Sequence, residues 1–159
     1  MGGGTIAGDP SASASPSLAG MAIGHRFPPA TFTADEQTVA AYRVAIDDTQ
    51  PDGGAAGRGH GGATILPPVA VAALALRRLA GELALQPGSV HLGQEYEFHR
   101  RVHVGEELVV HSQIVRRSRR RGAIILVIEQ NVRCGETTVL SGRSTISVPD
   151  SGGPEGGDE

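Results

Sequence analysis

The chain has no Lys, no Trp, one Cys and an aromatic content of only 3%. Single Cys134 permits no internal disulfide, so a disulfide-stapled scaffold is excluded. All 14 basic residues are therefore Arg, which reads as coding bias rather than chemistry. A formal charge of -3 argues against a general polyanion binder, and no nucleic-acid partner is expected. No apolar run follows a basic N-terminal region as a signal peptide requires, so the cytoplasm is the expected compartment. The longest apolar stretch is interrupted by Arg77, Arg78 and Glu82 and is too short to span a bilayer, so no membrane partner is expected either. At 159 residues and 39% hydrophobic, one domain with a real core is the default.

What is present divides into a patterned middle and two bare ends. Residues 1–19 and 149–159 are Gly, Ser, Pro and acid with little to bury, and they predict disordered tails around a domain over 20–148. Residues 21–27 predict a short edge strand. Thr33 and Glu36 have the spacing of a capping box, which predicts a helix over about 34–47 with Val39, Tyr42 and Ile46 on one face. The following TQPDGGAAGRGHGG is too rich in Gly and Pro to be regular, and its length marks a functional or mobile loop. Pro67 and Pro68 then open a helix to about Leu83 with almost no polar surface, where a missing N–H costs little. Leu92, Gln94, Tyr96 and Phe98 alternate with Gly93, Glu95, Glu97 and His99, predicting a strand with one buried face. Segments 108–115, 123–132 and 137–148 complete a four-strand meander, with RRSRRRG as a hairpin tip. A helix without a polar face must be enclosed, and the sheet after it is what can wrap it: the fold class is α+β, a curved antiparallel sheet around a central apolar helix.

YRVAIDDTQP, the loop ending GGATILPP, and HLGQEYEFHRRVHVGEEL together resemble the MaoC-like hydratase/dehydratase family, in its N-terminal dehydratase-type branch, over roughly residues 21–148. The resemblance implies a single hot-dog fold acting on thioesters of coenzyme A or acyl carrier protein, adding water reversibly to a 2-enoyl group. The thioester is substrate, and no cofactor or metal is implied. Such hydration needs an acid and a base for one water, and donors where enolate charge develops on the thioester oxygen. In active members an Asp and a His after the first helix manage the water. Asp48 falls where that Asp belongs, but Gly53 stands in place of the His. An amide at the start of the central helix, commonly from Gly, faces the oxygen; here Pro68, which has no N–H, occupies that point, followed by Val69.

The candidate catalytic residues are thus Asp48 and, as a substitute base in the Gly-rich loop, His60. His91, Gln94 and Val69 are the candidate substrate contacts. Each has an ordinary reading beside the functional one: Asp48 as a turn residue, His60 as a solvated loop side chain, His91 as a carbonyl partner at a strand start. His99, His103 and His111 lack metal-ligand spacing. Arg116, Arg117, Arg119, Arg120 and Arg121 read as a solvated turn with no interleaved aromatic, or as a contact for coenzyme A phosphates. The departures favour a subunit with an incomplete site, working with a related hot-dog partner. A complete homodimeric hydratase using Asp48 and a relocated His is the alternative, as is a non-catalytic thioester-binding protein or a thioesterase using Glu82. Phe27, Phe32, Phe98, Tyr42 and Tyr96 are too little aromatic material to seal a thioester tunnel unaided, so the chain is expected to dimerise with itself or a relative.

Overall fold

The computed structural model describes residues 17–49 and 63–150. After a one-turn 3-10 helix, Leu18–Gly20, the elements are β1 (Ala30–Thr33), α1 (Glu36–Ala45), β2 (Ile65–Leu66), α2 (Pro68–Glu82), β3 (Val90–Phe98), β4 (Val102–His103), β5 (Glu107–Arg120), β6 (Ala123–Cys134) and β7 (Thr137–Pro149). A five-stranded antiparallel sheet has the order β1-β5-β6-β7-β3, and β2 pairs with β4 alone. The meander therefore holds for β5, β6 and β7. β3 crosses to the far side and pairs with β7, leaving β3 as one edge of the sheet.

Strict alternation builds the inner face. In β6, Ile124, Leu126, Ile128, Gln130 and Val132 are buried while their neighbours are not. α2 lies on this face through Ala70, Val71, Ala72, Ala75, Leu79 and Leu83, whose small and branched side chains let its backbone approach the strands. The core forms two clusters along the helix. One gathers α2's first half with Val39, Phe32, Leu66, Val110, Val132 and Leu140; the other gathers Leu79 and Leu83 with Ile114, Leu126, Ile128, Ile146 and Val148. Between them runs the cross-strand row Ser112–Gln130–Gly142–Tyr96. Tyr96 OH donates to Ala72 C=O (3.2 Å) and Gln130 Nε2 to Ala75 C=O (3.1 Å), so the row ties the sheet to the helix. A Cβ on Gly142 would stand 2.7 Å from the Tyr96 ring, which is why glycine occupies that point.

Several sequence expectations are corrected. The helix α2 is covered on one side only: Ala73, Arg77, Arg78 and Ala80 are exposed and Val69 is 58% exposed, because the chain's own sheet reaches round a single face. The edge strand is β1 and not 21–27, where Gly24 at φ 89° and one isolated bridge, Arg26 to Gln113, break regularity. The N-cap of α1 is Asp35, accepting from Thr38 N–H at 2.7 Å, since Thr33 is taken up in pairing with Glu107. In β3 the register shifts between His91 and Gly93, and on this edge strand Leu92 and Phe98 are both exposed. The domain extends past the expected limits of 20 and 148: Leu18 is fully buried and Asp150 pairs with Arg119. The rest of both ends lies outside the described residues. Finally, β5 runs to Arg120, so only Arg121 and Gly122 form the turn, both at positive φ (48° and 74°), as a tight two-residue hairpin requires.

Leu79→Ala is expected to cost about 2–5 kcal/mol in urea unfolding, and Leu76→Ala clearly less, because Leu79 is buried and Leu76 only half-buried. Equal losses at the two positions would mean that the outer side of α2 is covered too.

Candidate functional site

The residues after α1 are positioned by the way that helix ends. Asp47 adopts φ 53°, which turns the chain so that Asp47 N–H donates to Val44 C=O (3.2 Å) and Asp48 N–H to Arg43 C=O (2.9 Å). This left-handed closure satisfies the last carbonyls of α1 and fixes Asp48 just beyond it. The Asp48 side chain is 8% exposed, and its Oδ2 lies 3.5 Å from Arg43 Nε. Asp48 thus forms an ion pair with its own helix. His60 lies outside the described residues.

At the start of α2, Pro67 C=O accepts from both Ala70 N–H (2.9 Å) and Val71 N–H (3.3 Å). Pro68 has no N–H, so among the described residues Val69 carries the one first-turn amide of α2 without a backbone acceptor. Its exposure and the helix dipole make it an anion-facing donor, but a single one. Beside it is a pit of about 10 Å³ lined by Leu66, Pro68, Val71, Phe98, Arg101 and Val139 among others, joining α2's start to the end of β3.

His91 and Gln94 do not reach that end. His91 is exposed and opposite Ile146, over the C-terminal half of α2, whereas Phe98 opposite Leu140 marks the N-terminal half. Seven residues of strand separate them, roughly 20 Å. Gln94 sits between, accepting a hydrogen bond from Ser144 Oγ at 2.5 Å. Glu82, the thioesterase candidate, is exposed at the last residue of α2. Among the described residues no three His, Cys, Asp or Glu side chains converge on a metal position, and no helix is long and apolar enough to cross a membrane.

Two features went unnoticed in the sequence. One is the polar row under α2, for which a signal existed: Gln130 falls on the buried parity of an otherwise apolar strand. Burial pushes the Tyr96 hydroxyl above its ordinary pKa, keeping it a donor to Ala72. The other is Glu106, which accepts from Arg100 (3.1 Å) and from His103 N–H (2.8 Å) and pins the turn between β4 and β5. That turn meets Thr64 and Ala34 through Val104 and Gly105 N–H, bracing the strands around the start of α2. A cavity of about 770 Å³ opens across the same strands, lined by Tyr96, Ser112, Gln130 and Gly142 together with Arg26, His111, Glu129 and Arg143, and by no α2 residue.

An antiparallel sheet carrying one apolar helix on its inner face defines a hot-dog domain. Residues 21–137 match the family described as the FAS1-like dehydratase domain region, and the chain belongs to that family. Among solved structures it is similar to the (R)-hydratase from A. caviae involved in PHA biosynthesis, with 18% identity over 82% of this chain and 98% of that one and a TM-score of 0.67. It is similar also to the MaoC-like dehydratase from Rhodospirillum rubrum, with 18% identity over 85% and 97% and a TM-score of 0.62. The HadBC (3R-hydroxyacyl-ACP dehydratase) complex of Mycobacterium tuberculosis matches at 22% identity over 79% and 96%, with a TM-score of 0.61. A comparison with curated protein sequences finds no match.

The Glu106 carboxyl lies below its ordinary value of 4.5: burial opposes ionisation, but the hydrogen bonds from Arg100 and His103 and the Arg100 charge outweigh it. A lowered folded pKa stabilises the fold above the unfolded value, and that contribution is lost as pH falls through the folded one. The melting temperature of the chain is therefore expected to drop below about pH 4.5, with a smaller drop in Glu106→Gln, which has no proton to take up. Parallel acid profiles for the two proteins would remove Glu106 from this role.

Proposed function

We propose that the chain is a subunit of an acyl-thioester hydratase/dehydratase, acting on a 2-enoyl or 3-hydroxyacyl thioester of coenzyme A or acyl carrier protein, whose catalytic Asp and His are supplied by a related hot-dog partner. The observation that carries this is the start of α2. Two prolines leave Val69 as a single donor where the developing enolate oxygen needs preorganised hydrogen bonding, so this end is weak in the electrostatic stabilisation that dominates such reactions. Gly53 in place of the family's His, and Asp48 paired with Arg43, point the same way.

The need for a partner has its own support. Among the described residues β3 is an unpaired sheet edge with Leu92 55% and Phe98 43% exposed, and Ala73, Arg77 and Ala80 of α2 are uncovered. A second hot-dog domain on that edge extends the sheet, covers α2 and closes the pit over Phe98. The HadBC neighbour, described as a complex, offers a precedent for pairing of related subunits. In this reading Val69 contributes one hydrogen bond to the shared site, Gln94 and its Ser144 contact shape the acyl channel, and His91 acts at the far end or at the interface. The substrate's thioester requires no further cofactor.

The purified chain alone is expected to hydrate crotonyl-CoA hardly at all and to gain activity on addition of a MaoC-like partner with the intact Asp and His. Light scattering should then give a complex larger than the monomer. Rapid hydration by the chain alone, falling by about 10²–10⁴ in Asp48→Asn, would instead establish a homodimeric enzyme with a relocated histidine such as His60.

A further inference from the structure

The arginines at the β5–β6 turn do two separate jobs. The bulge after Ile114 shifts the register so that Arg117 and Arg119 fall opposite the buried residues Leu126 and Ile124, on the α2 side of the sheet. Both are engaged there: Arg117 donates to Ala19 C=O at 3.0 Å, and Arg119 pairs with Asp150 at 2.6 Å. Arg116 and Arg120 fall opposite Val127 and Ala123, on the outer face, and Arg121 sits in the turn. All three are exposed, and among the described residues no carboxylate pairs with any of them. In a chain of net charge -3 this is a concentrated cationic surface on a rigid hairpin, held at its base by the other two arginines.

Its shape limits what it can bind. Arg116 and Arg120 are four strand residues apart, roughly 13 Å. None of the three lines either cavity, so no enclosed site for a small phosphate is built around them. Spread, exposed cations of this kind match an extended acidic protein surface, where complementary charge sets encounter rate and orientation. A single-stranded nucleic acid would want stacking aromatics, and the hairpin has none.

Its position says which site it serves. Val90, the start of β3, pairs with Ser147, and Ala123 beside the turn pairs with Pro149, so the hairpin and the start of β3 share one end of the sheet. The start of α2 is at the other end, near Phe98. Joining two β3 edges with both central helices on one side requires a two-fold axis normal to the sheet, hence antiparallel strands. The partner's α2 start then comes to this chain's hairpin end, and β5 lies three strands from the junction, roughly 14 Å.

We propose that Arg116, Arg120 and Arg121 form the docking surface for an acidic acyl carrier protein that presents its thioester to the partner subunit's catalytic site. The inference rests on the subunit reading above and deepens it: this chain supplies carrier recognition, and the partner supplies the acid and base. The carrier's acidic surface meets the hairpin end of β5, while its thioester-bearing arm passes round that end of the sheet to the partner's α2 start on the opposite face.

The test is binding of two probes to the full chain in complex with its hot-dog partner: crotonyl-loaded acyl carrier protein and crotonyl-CoA. The triple variant Arg116→Glu, Arg120→Glu, Arg121→Asn is used, with Asn chosen because it tolerates the positive φ of the turn. Complex formation and melting temperature serve as the folding check. Carrier affinity is expected to fall at least about tenfold in the variant and, in the unaltered complex, to weaken as salt rises from about 0.05 to 0.5 M, with crotonyl-CoA affinity unchanged. Unchanged carrier affinity in a folded variant overturns the proposal, and so does an equal loss for both probes, which would assign the arginines to coenzyme A phosphates. Equally tight binding of duplex DNA by the unaltered complex would also overturn it. Failure of the unaltered complex to bind either thioester would sink the subunit reading itself, a result distinguishable from loss of carrier binding alone. If the triple variant does not assemble, Arg116→Gln and Arg120→Gln singly provide the same comparison on an intact turn.

Discussion

The contact on which the rest depends is the seating of α2 on the sheet through a face of small residues. Ala70, Ala72 and Ala75 bring the helix backbone close enough for Tyr96 and Gln130 to donate hydrogen bonds to its carbonyls, which larger side chains would hold out of reach. Gly142 belongs to the same constraint, since a side chain there would displace the Tyr96 ring from its path to Ala72. The apolar clusters on either side supply most of the burial, and the polar row fixes where along the strands the helix lies.

The same seating leaves an imbalance. A single sheet covers one side of α2, and among the described residues β3 is an unpaired edge of that sheet with Leu92 and Phe98 exposed. Exposed apolar residues beside an open strand edge are costly in isolation and are relieved when a second sheet continues the first. The same helix that is bare along one side also begins with two prolines, which leave Val69 N–H without a backbone acceptor.

Charge is partitioned along the long axis in a way that suits division of labour between subunits. Arg43 and Arg100 are committed to carboxylates of their own chain near α1 and the β4–β5 turn. Arg116, Arg120 and Arg121 of the hairpin stand at the opposite end, where Asp150 pairs with Arg119 and no carboxylate of the described residues pairs with the three. The exposed first-turn amide of α2 and the outward-facing arginines of the hairpin thus lie at opposite ends of the sheet.

How much of this could be read from the residues differs by scale. Alternation in residues 108–148 and the apolar run from Pro68 to Leu83 carried the α+β class, because period-2 and polar-free patterns are local properties of the chain. The missing N–H at Pro68 and the missing His at Gly53 were likewise legible, being facts of residue type. The strand order was not: β3 pairs with β7 rather than β5 because closure of the sheet around a helix is a non-local choice. That choice moved His91 to the far end from Val69, and the edge position of β3 left Leu92, apolar by pattern, exposed. A bulge after Ile114 sorted five adjacent arginines into two that brace the fold and three that face solvent. Residue type alone determined which chemical groups the chain owns and which it lacks. Register and packing decided which of them share an end of the molecule, since one inserted strand residue moves a side chain to the opposite face without altering the composition at all.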